Sequence, residues 1–294
     1  MRDIFLFDQE VIVMKILVVY QDGLSAQLIR PKFEGLGHEM IEERSKTKAI
    51  ERMAVDDFDL VLLDPAPLTN PRSLILNARR TVRNYPYMLM MSESLTPAEA
   101  GQAGGNDLIS KPIDSEALFE KIDNAKRLIT LVRQIGDDSE DFPSAGGVIA
   151  KSAFNQLFLS AMDRSDRYGE KTYILQISLN NYDEILGMGG AYAADFSVAK
   201  LCRYLVLLRR QSDIIGQTGK SEYSLLLQRP IYENEPIEAA GRFVDELAKL
   251  NDLDSAKEAS VELRVTLLEL PSGRRAYEQV FYPGVNEIKT ARMN

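Results

Sequence analysis

Residues 210–227, RQSDIIGQTGKSEYSLLL, are the stretch on which the reading of this chain turns. Ile214 and Ile215 open an extended apolar run. Thr218-Gly219-Lys220-Ser221 has the small, polar, glycine-containing composition of a turn, and Tyr223 to Leu227 resume a buried strand. The stretch therefore reads as a helix end, a strand, a turn at an exposed tip and a second strand. Upstream, Asp195 to Arg210 has helical periodicity, with Phe196, Ala199, Cys202 and either Leu205 or Val206 inward; Cys202 reads as a core residue. Before it, Tyr173 to Leu179 reads as a strand, and Lys151 to Arg167 as a helix with Phe154, Leu157, Phe158, Ala161 and Met162 on one face. Downstream come a helix around Ala239 to Leu250, a strand at Val261 to Leu268 and a tail. The pattern implies an α+β domain, an antiparallel sheet with helices.

The 294 residues exceed what one hydrophobic core usually organises, so two domains are expected. Lys plus Arg number 35 against 44 Asp plus Glu, a net charge of −9, which excludes a general binder of nucleic-acid polymers and leaves small, locally basic nucleotide sites open. The single cysteine, Cys202, excludes an intramolecular disulfide and fits a reducing, cytoplasmic setting. One histidine, His38, removes most histidine-based mechanisms. The segment MRDIFLFDQEVIV (1–13) is interrupted by charge and has no small-residue cleavage pattern; it reads as an extension, neither signal peptide nor membrane span.

From Lys15 to about Arg133, short apolar runs alternate with amphipathic segments. Ile16 to Tyr20, Leu60 to Leu63 and Met88 to Met91 are candidate parallel strands; Leu24 to Leu36, Thr47 to Ala54 and Leu118 to Val132 are helical. That alternation implies a doubly wound α/β sheet with its sites at the carboxyl ends of strands. Leu118, Ile122, Ala125, Ile129 and Val132 form an apolar seam suited to packing within this domain or against another helix across a homodimer. GDDSEDFPSAGG (136–147) is acidic, rich in Ser and Gly and aperiodic, as in a linker.

Over roughly 120 residues this first part resembles response-regulator receiver domains, which have a flavodoxin-like fold. FDLVLLD puts Asp64 where that family has its phosphoacceptor at the end of the third strand, and ISKPID puts Lys111-Pro112 where it has a Lys-Pro cis-peptide turn. The family's magnesium-binding acid pair falls on Tyr20 and Gln21; Asp22, one residue later, should point elsewhere. The family's switch Thr or Ser falls on Met91 or Ser92. The acceptor thus stands without its metal ligands, and Asp64 with Lys111 also reads as a structural ion pair.

The second part resembles the GGDEF (diguanylate cyclase) domains. Arg210-x-x-Asp213, five residues, then Gly219-Lys220-Ser221-Glu222-Tyr223 is similar to that family's inhibitory, product-binding RxxD site followed by its Gly-Gly-Asp/Glu-Glu-Phe hairpin. The resemblance implies a palm-like domain and two divalent metals held by carboxylates at positions that fall on Ser178 and Ser221. Neutral serines cannot replace those charges. The family's guanine-contacting Asn falls on Leu186, while its partner Asp is retained as Asp195; the second glycine is Lys220, whose Cβ obstructs backbone approach to phosphates. Glu222 is retained. Fourteen residues before Ser178, Arg164 stands where the family has a second arginine of the inhibitory site.

The resulting expectation is an extension (1–13), a receiver-like domain with a C-terminal linker helix (14–135), a linker (136–145) and a degenerate GGDEF domain (146–294). The function expected is that of a non-catalytic cyclic di-GMP receptor, with the ligand at Arg164, Arg210 and Asp213, no magnesium or other cofactor, and a protein partner downstream. The alternative is a ligand-independent scaffold of two degenerate signalling domains; an active cyclase controlled by phosphorylation fits the residues least.

Overall fold

The structure is a computed structural model that describes residues 13–20, 23–142, 146–251, 253 and 260–284. The extension, Val13 apart, and Gln21 and Asp22 lie outside the described residues. The chain divides into two compact units, Met1–Thr130 with Asp166–Gly169, and Leu131–Ser165 with Glu170–Asn294.

The first unit runs β1 (Lys15–Val19), α1 (Gly23–Gly35), β2 (Glu39–Glu43), α2 (Lys46–Met53), β3 (Leu60–Leu63), α3 (Arg72–Thr81), β4 (Tyr87–Ser92), α4 (Pro97–Gln102), β5 (Asp107–Ser110) and α5 (Ser115–Gly136), whose part from Leu131 on belongs to the second unit. Its strands pair in parallel in the order β2-β1-β3-β4-β5. That is the doubly wound, flavodoxin-like order, whose switch point lies between β1 and β3. The inner strands β1, β3 and β4 are buried nearly throughout, which is why they are continuous apolar runs. Edge strand β2, EMIEE, is half-exposed and gives no apolar run to read. Helix α4 is short but well started, with Pro97 in its first turn and a reciprocal capping box between Thr96 and Glu99. The Lys111-Pro112 bond after β5 is cis, as the resemblance implies. In α5, Leu118, Ile122, Ala125 and Ile129 are buried as expected. Val132 is only half-buried, and Leu128, Leu131 and Ile135 are buried instead, so the apolar face is wider than one seam.

The second unit is α+β: α6 (Lys151–Tyr168), β6 (Thr172–Leu179), α7 (Tyr182–Leu208), β7 (Ile214–Gly219), β8 (Glu222–Gln228), α8 (Glu235–Leu247), β9 (Leu263–Leu270) and β10 (Arg274–Phe281). The antiparallel sheet has the order β10-β9-β6-β8-β7. Alternation sends Tyr173, Leu175 and Ile177 to one face, where they join Tyr223, Leu225, Val265 and Leu267 in a core with Leu201 and Leu205 of α7 and Phe243 and Val244 of α8.

Two expectations are corrected. Helix α7 begins at Tyr182, not Asp195, with one break at Gly190 (φ 73°, ψ 179°), a conformation open to glycine. Its buried face is Ala194, Ser197, Leu201 and Leu205, so Phe196 and Ala199 do not point into the core and Cys202 only borders it. Ser197 disguised that face; its hydroxyl donates to Ala193 O or Leu253 O, at 3.1 and 2.7 Å, satisfying it in an apolar setting. The hairpin turn is also shorter than expected. Thr218 is buried and Gly219 pairs with Glu222, leaving Lys220-Ser221 as the tip.

Candidate functional site

The pentad and the end of β6 meet as the sequence leads one to expect. Ser178 pairs with Glu222, and the Leu179 N–H donates to Ser221 O at 2.9 Å. Strand alternation puts Gln176, Ser178, Glu222 and Ser224 on the face opposite the main core. Glu222 is half-buried, and its Oε1 accepts from Thr218 Oγ1 (2.8 Å), Gln134 Nε2 (2.9 Å) and Gln176 Nε2 (3.1 Å); Thr218 also shares a 2.8 Å hydrogen bond with Ser224. Burial pushes the Glu222 carboxyl up, against the lowering effect of those three donors. The fifth pentad residue, Tyr223, is buried in the core with its hydroxyl directed at Val198 O, 3.3 Å away.

A pair of divalent metals at this edge would need anionic oxygens. Ser178 and Ser221 supply none, Glu222 is committed to three neutral donors, and among the described residues no group of three or more His, Cys, Asp and Glu gathers to hold a metal. Lys220 extends its ammonium 5.0 Å from the centroid of the Tyr182 ring; its hydrogen bond with the Tyr182 side chain, with a lesser effect from Asp195, raises its pKa. Asp195 is exposed on α7, and Leu186 packs partly buried against the core with no polar atom to offer a base.

Arg164, Arg210 and Asp213 come from α6 and from the loop between α7 and β7. Asp213 is 9% exposed, and its Oδ2 accepts the Arg210 N–H at 3.0 Å while the Asp213 N–H returns to Arg210 O at 3.1 Å. Arg-x-x-Asp is thus a closed turn, which Arg209 Nη1 braces at Asp213 O, 2.8 Å away. Arg164 Nη2 donates to Gln228 Oε1 at 2.9 Å and its Nη1 to Ser160 Oγ at 3.2 Å. Gln228 ends β8, the strand that pairs with β7, and Arg210 and Asp213 precede the start of β7 at Ile214.

Both arginines carry carboxylate partners that no motif spacing in the sequence marks. Arg210 Nη1 lies 2.6 Å from Glu235 Oε1, and Arg164 Nε lies 3.5 Å from Glu170 Oε2, which also faces Arg229 Nε at 3.8 Å. Glu235 is legible as a first-turn acid of α8, but nothing local assigns it to Arg210, 25 residues away.

At the carboxyl end of the parallel sheet, Asp64 is buried; its Oδ1 accepts the Ala66 N–H at 2.9 Å and its Oδ2 lies 2.5 Å from Lys111 Nζ. Lys46 donates to Ala66 O beside this pair, and burial lowers its pKa although Asp64 opposes the shift. Tyr20 is buried and hydrogen-bonds Glu42; Gln21 lies outside the described residues. The carboxylate is thus paired directly with the Lys111 ammonium, with the Lys46 charge close enough to feel it. Of the two candidate switch positions, Met91 is wholly buried, while Ser92 ends β4 and its Oγ accepts from the Ser94 and Leu95 N–H groups, both at 3.2 Å.

No family model matches the chain. It is 23% identical over 184 residues to YrkP of Bacillus subtilis, an uncharacterised transcriptional regulatory protein, covering 60% of this chain and 77% of that one. Among solved structures, it is similar to a two-component response regulator from Clostridium difficile (22% identity, 39% of this chain and 96% of that one, TM-score 0.35). It is also similar to the GGDEF domain of YfiN (TpbB) from Pseudomonas aeruginosa (18% identity, 41% and 74%, TM-score 0.36). Among the described residues, no helix is long and apolar enough to cross a membrane.

Proposed function

We propose that this is a signalling protein whose second unit binds cyclic di-GMP at Arg164, Arg210 and Asp213 without converting GTP, and that binding changes its contacts with a protein partner. The reading rests on the Arg210 fork at the closed Arg210–Asp213 turn and the Arg164 fork of α6, both reaching solvent, with serines at Ser178 and Ser221 where catalysis would need charge. Arginine forks suit guanine O6/N7 edges and phosphates, and stack on base planes. The acceptor oxygens of Asp213 suit the guanine N1-H and amino group. Neither contact calls for a metal cofactor.

A ligand-independent scaffold is the second reading, favoured by the carboxylates that already hold both arginines. Two measurements on the full chain separate these readings from each other and from a cyclase. Incubation with GTP and Mg²⁺ or Mn²⁺ should yield no cyclic di-GMP, and saturating cyclic di-GMP should raise the melting temperature of the wild type but not of Arg210→Ala. Dinucleotide synthesis would refute the loss of catalysis, and an unmoved wild-type melt would leave the scaffold.

A further inference from the structure

Glu235 and Arg210 are unequally free. The Glu235 side chain is 12% exposed, against 51% for Arg210, and its second carboxylate oxygen accepts the Ile231 N–H at 2.6 Å, at the start of α8. The glutamate is therefore fixed from two sides, and the arginine is the partner able to swing. The guanidinium beside it holds the Glu235 carboxyl below its usual range. Glu170 also pairs with two arginines, Arg164 and Arg229, its side chain as exposed (32%) as that of Arg164 (30%), and Arg229 takes a left-handed backbone conformation (φ 52°) uncommon for a residue with a side chain. A carboxylate offers two coplanar acceptor oxygens to an arginine fork. A phosphate and the O6/N7 edge of guanine offer the same pattern.

We propose that Glu235 and Glu170 are built-in competitors for the ligand's acceptor groups, so that binding exchanges a carboxylate for a phosphate or guanine edge on each arginine. This rests on the cyclic di-GMP reading above. Both ion pairs reach solvent through their arginines, which keeps them weak, so the exchange sets the affinity without forbidding binding.

The test is fluorescence anisotropy of labelled cyclic di-GMP titrated with the full-length wild type, Glu235→Gln, Glu170→Gln, and Glu235→Gln combined with Arg210→Ala. Glutamine keeps the acceptor for the Ile231 N–H and removes the charge. Each single variant should bind about two- to fivefold more tightly than wild type, the range that loss of one exposed ion pair gives. The Arg210→Ala combination should lose that gain, and the urea midpoint of Glu235→Gln should be unchanged or lower. Wild-type binding with equal or weaker binding by Glu235→Gln would overturn the proposal, because Glu235 would then position the arginine. Absence of binding by all four proteins would overturn the cyclic di-GMP reading along with it.

Discussion

Lys111 Nζ lies 2.5 Å from Asp64 Oδ2 at the carboxyl end of the parallel sheet, with the two side chains 13% and 5% exposed. Removing the ammonium alone leaves a buried carboxylate without its main counter-charge. Lys111→Met should therefore destabilise the first unit by about 3 kcal/mol in urea unfolding, and adding Asp64→Asn should recover much of that loss. Losses that simply add in the double variant would contradict the coupling. Intact-mass measurement after acetyl phosphate and Mg²⁺ should detect no phosphorylated chain.

Glu222 gives a pH-dependent result of unusual sign for a carboxylate. Its folded pKa is raised above the ordinary value of 4.5, so its contribution to stability is present below that value and is lost as pH rises through the folded pKa. Glu222→Gln should consequently be as stable as wild type or more stable at pH 7, and lose that advantage at pH 4. Glu222→Ala should cost about 1–3 kcal/mol at pH 7, because Thr218, Gln176 and Gln134 lose their common acceptor. Urea midpoints at the two pH values check both statements.

Gly216 is set by a close approach. A Cβ there would meet Phe154 side-chain atoms at 2.5–2.6 Å, and Phe154 is itself wholly buried. Gly216→Ala should destabilise the second unit by about 1–3 kcal/mol, measured by urea unfolding, and Phe154→Leu should relieve part of the strain.

His38 is buried with Nδ1 accepting the Met14 N–H at 3.3 Å, so protonation would remove that acceptor. Burial and then the Lys126 charge lower its pKa below 6.5, with Asp59 opposing. The unfolded chain accordingly takes up a proton first as pH falls, and stability decreases below about pH 6.5. His38→Gln should flatten the fall in melting temperature between pH 7.5 and 5.5; an unchanged slope would contradict this assignment.

The sequence discloses most where a residue's environment is uniform along an element. β1, β3 and β4 are legible because both their faces are buried, and α6 because Phe154 and Phe158 repeat on one face. β2 and β10 are edge strands carrying charged residues, EMIEE and RRAYEQVF, and so lack the apolar signal. The α7 face is misread because a hydroxyl, Ser197, occupies a core position while Phe196 is half-exposed. The cluster around Glu222 draws Gln134, Gln176 and Thr218 from three separate elements, and the counter-charges Glu235 and Glu170 come from further loops and helix starts. No local spacing encodes such meetings; only the fold brings them together.

The central claim is that the Arg210–Asp213 turn and Arg164 form a dinucleotide site. Calorimetric titration of the full chain with cyclic di-GMP, beside Arg210→Ala and Asp213→Ala, tests it most directly. A micromolar or tighter isotherm is expected in the wild type and its loss in both variants. No heat from the wild type, together with no thermal shift at saturating ligand, would contradict it.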